Sequence, residues 1–159
     1  MGLSDAVAAA LGKYAVFQGR ALRPEYWWFA LFTLGSNFVA STLDGFTGLP
    51  IFGLVVGLGL FVPSLAVAVR RLHDVNLSGW WMLVPVLGIT LAAIIGAVLL
   101  PMAAGGGAVA AAVVLAVFVG MVVVFARPGT AGPNRFGADP RAGGLTGRPA
   151  GTAGGNSRS

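Results

Sequence analysis

Long uncharged apolar segments alternate with short polar segments along this chain, and the alternation predicts its helices. The charged residues bound uncharged intervals at 26–43, 45–69 and 75–126. A membrane-spanning helix needs about 20 apolar residues, because it rises 1.5 Å per residue through a hydrocarbon core of about 30 Å. The third interval is long enough for two crossings. We therefore predict an all-α integral membrane protein with four transmembrane helices, at about 26–43, 49–69, 80–100 and 105–126.

The first two predicted spans carry features that bear on helix packing. The first is the most polar, and Asn37 near its middle favours a hydrogen bond to a neighbouring helix, with a place in a substrate path as the alternative. In the second, Gly53-x-x-x-Gly57 permits close approach of helices, and Pro63 predicts a kink.

The two ends of the chain differ from the spans in pattern. Residues 4–18 have apolar positions near helical spacing after Ser4, a suitable N-cap, which predicts a short interfacial helix on the cytoplasmic leaflet; a frayed terminus is the alternative. From Arg141 onward the chain is rich in Gly, Ala, Arg and Ser without apolar periodicity, which predicts a disordered tail at 141–159. Residues 1–140 are thus expected to form a single membrane domain.

Composition excludes several classes of protein. The chain is 57% hydrophobic and 9% charged, whereas soluble domains are about 25% charged. It has no cysteine and a single histidine, His73, so neither a disulfide nor a multi-histidine or thiolate metal site is available within one chain, and we expect no metal or cofactor. The basic residues are scattered beside apolar spans, which argues against a nucleic-acid partner.

The distribution of basic residues predicts the orientation. Lysine and arginine occur before span one, between spans two and three, and after span four, whereas the loops at 44–48 and 101–104 contain none. Under the positive-inside rule this side is cytoplasmic, and both termini lie inside.

Three polar segments, at 20–25, 70–78 and 127–139, are therefore expected to share one membrane face. The run at 70–74 is interpreted as part of a hinge between spans that stays in water or headgroups, because unpaired charges cost several kcal/mol in hydrocarbon. Ser78 is the expected N-cap of the third span, and Trp80 and Trp81 suit an interfacial aromatic belt. The candidate residues of this face are Arg20, Arg23, Glu25, Arg70, Arg71, His73, Asp74, Ser78, Trp80, Trp81, Asn134, Arg135 and Asp139.

Two hypotheses account for this face. In one, Glu25 and Asp74 pair with arginines and fix the helix ends, with Arg70 and Asp74 at i and i+4. In the other, surplus arginine charge binds anionic lipid headgroups or a phosphate. We favour the structural network, since short cytoplasmic loops carry arginine for topology alone, and the two hypotheses are compatible.

No catalytic motif accompanies these residues. A Gly-x-Ser-x-Gly elbow and a Gly-x-x-x-x-Gly-Lys loop are both absent, and His73 beside Asp74 is the one candidate acid–base pair. We predict a non-enzymatic membrane scaffold or interaction module, with membrane lipids, a protein partner or a second copy as partners. A small transporter or oligomeric channel is the alternative.

Three blocks of sequence resemble one family. Residues 13–27 (KYAVFQGRALRPEYW), residues 70–81, in which Arg-Arg-Leu-His-Asp precedes Ser-Gly-Trp-Trp, and residues 134–140 (NRFGADP) are similar to the bacterial inner-membrane family known as domain of unknown function 805. The resemblance implies a protein integral to the bacterial cytoplasmic membrane, with no established activity. The chain departs from the family pattern at Pro24 and Leu77, and in having about two spans before the last block, where many members have a single shorter apolar stretch.

Overall fold

The chain folds into helices joined by short connections. A computed structural model describes residues 1–99 and 106–142, and no strand occurs within those ranges. The helices are α1 (Leu3–Gly12), α2 (Arg23–Thr47), α3 (Ile51–Asp74), α4 (Leu83–Leu99) and α5 (Gly106–Ala126), with a short 3₁₀ helix at Gly79–Met82 before α4. The predicted loop at 101–104 lies outside the described residues, as does the predicted disordered tail from residue 143 onward.

Three helical segments are long and apolar enough to cross a membrane. They are Ile51–Asp74, Gly79–Ala97 and Gly107–Ala126. Few of their side chains are buried within the chain, so their outward surfaces are apolar, as expected where lipid is the solvent. The predicted first span lies within α2, a helix of 25 residues that is made less apolar by hydroxyl and amide side chains. The fold is therefore all-α and of the integral membrane type.

A carboxylate at the far end of α2 caps the start of α3. Asp44 Oδ1 accepts a hydrogen bond from the Phe52 N–H, and Asp44 Oδ2 accepts one from the Gly53 N–H, both at 2.8 Å. The first N–H groups of a helix have no partner within it, so this contact satisfies two of them. A Cβ on Gly53 would lie 2.7 Å from Asp44 Oδ2, whereas a Cβ on Gly57 would meet nothing within 4 Å. Of the two spaced glycines, Gly53 is the one that permits close approach.

The N-terminal helix packs against α2 and α3. Ala10 of α1 is buried in a cluster with Phe29 and Val67. The predicted Ser4 cap is wrong, because α1 already begins at Leu3 after Gly2, whose N–H donates to the Asp5 carboxylate. The helix also ends at Gly12, earlier than predicted.

Tyr14 compensates for the proline inside α3. Pro63 has no N–H, so the Gly59 carbonyl lacks the donor it would normally have four residues later. The Tyr14 hydroxyl donates to that carbonyl at 2.6 Å. The segment after α1 is thereby attached to the middle of α3.

The helices α4 and α5 pack mainly on each other. A Cβ on Gly88 would lie 2.5 Å from Val117 Cγ2, which shows how closely these two helices approach. Near its end, α5 contacts the rest of the chain through Phe125, which packs against Leu72 and whose ring centroid is 4.4 Å from that of Tyr26. The pair α4 and α5 therefore contacts the pair α2 and α3 mainly at the end of the molecule that carries the arginines.

Candidate functional site

Five charged side chains are buried together where α3 ends. This arginine cluster consists of Arg20, Glu25, Arg70, Arg71 and Asp74, none of which is more than 7% exposed. The expectation that the charges at 70–74 form a hinge wetted by water or headgroups is therefore wrong, and these residues form the last turn of α3 instead. The physical reason is that ion pairs and backbone carbonyls of the chain replace the water that the charges would otherwise need.

Asp74 is the centre of the cluster. Its Oδ1 accepts a hydrogen bond from Arg20 Nε at 2.9 Å, and its Oδ2 pairs with Arg71 Nη1. The expected pairing of Arg70 with Asp74 does not form, because Arg71, three residues before Asp74, takes that place. Each carboxylate oxygen thus has its own guanidinium partner.

Backbone carbonyls satisfy the other N–H groups of these two arginines. Arg20 donates to the carbonyls of Thr130 and Gly132, at 2.5 and 2.6 Å. Arg71 donates to the carbonyls of Phe125, at 3.0 Å, and Arg127. Both arginines are therefore engaged by the chain itself, and neither is available to a lipid headgroup.

Arg70 forms a separate ion pair that links α3 to α2. Its Nη1 donates to Glu25 Oε1 at 2.7 Å, and its backbone carbonyl accepts from the Ala21 N–H at 3.0 Å. Its Nε and Nη2 have no hydrogen-bond partner among the described residues. Glu25 lies in the first turn of α2, as its preference for the positive end of a helix predicts.

The segment after α5 covers the end of α3, and we call residues 127–142 the C-terminal clip. Its donors reach carbonyls at the end of α3 or just after it, where a helix leaves carbonyls without partners. The Thr130 N–H donates to Asp74 O at 2.8 Å, and Asn134 Nδ2 donates to His73 O at 2.9 Å. Arg135 donates to Asn76 O at 3.0 Å. The structure thus brings Asn134 and Arg135 to the end of α3, together with Thr130, which was not among the predicted residues.

His73 does not pair with Asp74. Its Nδ1 lies 3.2 Å from the Gly19 carbonyl, and its ring stacks on Phe136 with centroids 3.9 Å apart. The Arg135 guanidinium lies over the same Phe136 ring, 4.6 Å from its centroid. The His73 ring therefore helps to hold the C-terminal clip against the end of α3. The candidate acid–base pair of His73 and Asp74 is not formed.

Asp139 holds a turn within the C-terminal clip. Its carboxylate accepts from the backbone N–H groups of Gly132 and Arg141, both at 3.0 Å, and lies 3.5 Å from Arg141 Nε. The hydrogen bond from the Arg141 N–H is the main cause that lowers the pKa of Asp139 below its ordinary value.

Two exposed arginines form the walls of a cleft above the cluster. This arginine cleft has a volume of about 320 Å³ and is lined by Leu22, Arg23, Pro24, Asp74, Pro128, Gly129 and Arg141. Arg23 Nε donates to the Arg127 carbonyl at 2.8 Å, which fixes one wall. A Cβ on Gly129 would overlap Asp74 Oδ2, so this position of the cleft requires glycine. Arg141 was not among the residues expected at this face, because the disordered tail was predicted to begin there.

Three predicted members of the polar face lie elsewhere. Trp80 is 77% exposed and Trp81 is 48% exposed, whereas the members of the arginine cluster are buried. Ser78 precedes the 3₁₀ helix, as an N-cap residue should, but its side chain makes no capping hydrogen bond. These residues lie at the start of the segment at Gly79–Ala97, outside the buried arginine cluster.

A second cavity lies between α2 and α3, farther from the arginines. This α2–α3 groove has a volume of about 580 Å³, and Thr33, Asn37 and Ser64 are among its lining residues. The hydroxyl oxygens of Thr33 and Ser64 are buried without a partner among the described residues. Asn37 Nδ2 donates to the Thr33 carbonyl of its own helix at 2.8 Å, so the predicted hydrogen bond to a neighbouring helix is wrong.

Comparisons with known proteins find one matching family model and relatives that are named inner membrane proteins. The family model described as protein of unknown function (DUF805) matches residues 14–138. Inner membrane protein YhaI of Escherichia coli (strain K12) is 31% identical over 140 residues, covering 85% of this chain and 94% of YhaI. Inner membrane protein YhaH of the same strain is 32% identical over 140 residues, covering 82% of this chain and 92% of YhaH. No solved structure matches the chain.

Proposed function

The chain belongs to the DUF805 family of proteins of unknown function. From that premise we propose that it is a non-enzymatic scaffold of the bacterial inner membrane. We propose that its arginine-rich face binds anionic lipid headgroups. The arginine cluster holds this face together, and arginines outside the cluster meet the lipid. The relatives named above are inner membrane proteins, which supports the location.

The observation that carries the proposal is that some arginines are buried and paired within the chain, whereas others are exposed at the same end of the molecule. Arg20 and Arg71 are buried and engaged by Asp74 and by carbonyls, so they support the fold. Arg23, Arg127 and Arg135 are exposed around the same end of the molecule. Each exposed arginine near an anionic membrane surface contributes about 1 kcal/mol to association.

We further propose four spans, with α2 as the first. Glu25 in the first turn of α2 pairs with Arg70 near the end of α3, and Asp44 near the end of α2 caps the start of α3. Contacts at both ends mean that α2 runs beside the whole length of α3, a helix apolar enough to cross a membrane. Because α2 is as long as α3 and runs beside it, α2 crosses the same thickness of membrane.

The expected orientation places the arginine end and both termini in the cytoplasm. Because the chain has no cysteine, single cysteines can report it. With a membrane-impermeant maleimide, we expect Leu49→Cys to react in spheroplasts and Arg135→Cys to react only after the membrane is permeabilised. The reverse pattern would overturn the orientation and the proposed cytoplasmic platform.

Lipid selectivity tests the headgroup proposal. We expect the purified protein, equilibrated with equal amounts of phosphatidylglycerol and phosphatidylcholine and examined by native mass spectrometry, to retain phosphatidylglycerol preferentially. Combined Arg127→Gln and Arg135→Gln substitutions should reduce that preference, whereas Asp5→Asn, which changes an exposed charge of α1, should not. Equal retention of the two lipids by the unsubstituted protein would contradict the proposal.

The α2–α3 groove favours a second candidate function, that of a small transporter or oligomeric channel. Polar side chains within apolar helices commonly mark solute paths, and Thr33, Asn37 and Ser64 lack interhelical partners among the described residues. Solute flux in proteoliposomes, abolished by Thr33→Val with Ser64→Ala, would support this candidate. Flux that is absent, or unchanged by the double substitution, would count against it.

A further inference from the structure

We propose that the arginine cleft, lined by Arg23 and Arg141, is a specific binding site for a phosphomonoester group. This inference rests on the proposed function, since it gives the headgroup-binding face a defined site and a preferred ligand. The ligand chemistry is a phosphate with two ionisable oxygens, carried either by a lipid such as phosphatidate or by a soluble molecule.

Charge is the first argument. Arg20, Arg23, Arg71 and Arg141 lie in or directly beneath the cleft, and the carboxylates there are those of Asp74 and Asp139. Four guanidinium groups against two carboxylates leave an excess of two positive charges. A phosphomonoester carries a charge of about −1.5 to −2 at neutral pH, which matches that excess.

Free donors are the second argument. Arg23 uses Nε for the Arg127 carbonyl, and Arg141 is near Asp139 through Nε, so the Nη groups of both walls have no hydrogen-bond partner among the described residues. Guanidinium groups bind phosphate oxygens in pairs through such N–H groups. Asp74 does not oppose the anion strongly, because both of its oxygens are already paired with arginines.

The shape and place of the cleft are the third argument. Gly129 leaves no side chain over Asp74, and Leu22, Pro24 and Pro128 give the cleft an apolar border. The cleft lies at the start of α2, just before Trp27 and Trp28, whose side chains suit headgroup depth. A lipid phosphate in the plane of the bilayer and a phosphate from solution can both reach this position.

The test compares phosphatidate with phosphatidylglycerol, which is a phosphodiester. We expect the purified full chain in mixed micelles to retain phosphatidate over phosphatidylglycerol, as measured by native mass spectrometry. Arg141→Gln should reduce that preference about tenfold, because it removes a charge-assisted pair of hydrogen bonds. Lys13→Gln removes a positive charge from an exposed residue that does not line the cleft, so it should leave the preference within about twofold. Arg23→Gln, on the opposite wall, should reproduce the loss, and each variant's thermal unfolding is recorded to show that it folds.

Inorganic phosphate separates the two sources of ligand. If millimolar phosphate displaces phosphatidate from the unsubstituted protein, the cleft also accepts phosphate from solution. If it does not, the ligand is a lipid headgroup; either result supports the site. Equal losses in Arg141→Gln and Lys13→Gln, or no preference for phosphatidate, would overturn the inference. A protein that still prefers phosphatidylglycerol to phosphatidylcholine would then leave the proposed function standing.

Discussion

Replacing Asp74 by asparagine isolates the contribution of the buried charge at the centre of the cluster. Asparagine has nearly the same shape as aspartate, so Asp74→Asn leaves no cavity at a position that is 0% exposed. It removes the negative charge and turns one acceptor oxygen into an N–H₂ donor. Both Arg20 and Arg71 then lose a negatively charged partner, and one of them faces an N–H₂ donor in place of an acceptor oxygen.

The expected cost follows from the burial of these arginines. Removing one partner of a buried ion pair costs about 3–5 kcal/mol, because the remaining charge stays uncompensated away from water. The amide oxygen still accepts from one guanidinium, and both arginines keep their bonds to backbone carbonyls. We therefore expect a loss near the lower end of that range, about 3 kcal/mol in the free energy of unfolding.

Denaturant unfolding in micelles, followed by tryptophan fluorescence, measures this loss. Asp5→Asn is the control, because Asp5 is an exposed carboxylate whose hydrogen bond is to the nearby Gly2 N–H. It should change the free energy of unfolding by less than about 1 kcal/mol. A loss below about 1 kcal/mol in Asp74→Asn as well would refute the view that the buried carboxylate holds the cluster together.

Four further outcomes test other parts of the structure. Gly129→Ala should destabilise the protein by about 1–3 kcal/mol in the same assay, because its Cβ overlaps a buried carboxylate, whereas Gly120→Ala, with nothing within 4 Å, should be neutral or slightly stabilising. Asp44→Ala should cost about 1 kcal/mol, since two N–H groups at the start of α3 lose their acceptor. Tyr14→Phe should cost about 0.6–1.7 kcal/mol, because a helical carbonyl within the bilayer loses its donor. Because the folded protein lowers the pKa of Asp139 below 3.8, the ionised carboxylate stabilises the fold fully above pH 3.8, and this stabilisation is lost as the pH falls through the lowered pKa. In Asp139→Asn, the unfolding temperature should therefore depend less on pH in this acidic range.

The positions of the helices could be predicted because their physical cause is local. Uncharged runs of sufficient length must form helices in a bilayer, and the described helices overlap all four predicted spans. The ends were less predictable. The second span was expected to end near residue 69, but α3 continues to Asp74, because pairing within the chain removes the cost of carrying charges through its last turn.

The arginine cluster could be predicted in its membership but not in its pairings. A charge count shows that Glu25 and Asp74 lie among arginines, yet it cannot show that Arg70 pairs with Glu25 while Arg71 pairs with Asp74. That choice depends on the directions in which neighbouring residues of α3 point. Consecutive residues on a helix lie about 100° apart, so Arg70 faces α2 and Arg71 faces the end of α5.

The same geometry explains why two distant blocks of the sequence depend on each other. Burial of Arg20 and Arg71 requires acceptors in addition to Asp74, and carbonyls at the end of α5 and in the C-terminal clip supply them. The clip, in turn, is held by the carbonyls that the end of α3 leaves open, through Thr130 and Asn134. Neither block has its partners without the other. The arginines at the end of α3 are thus structural because the clip is in place, and the arginines left at its border are the ones free to meet an anionic ligand.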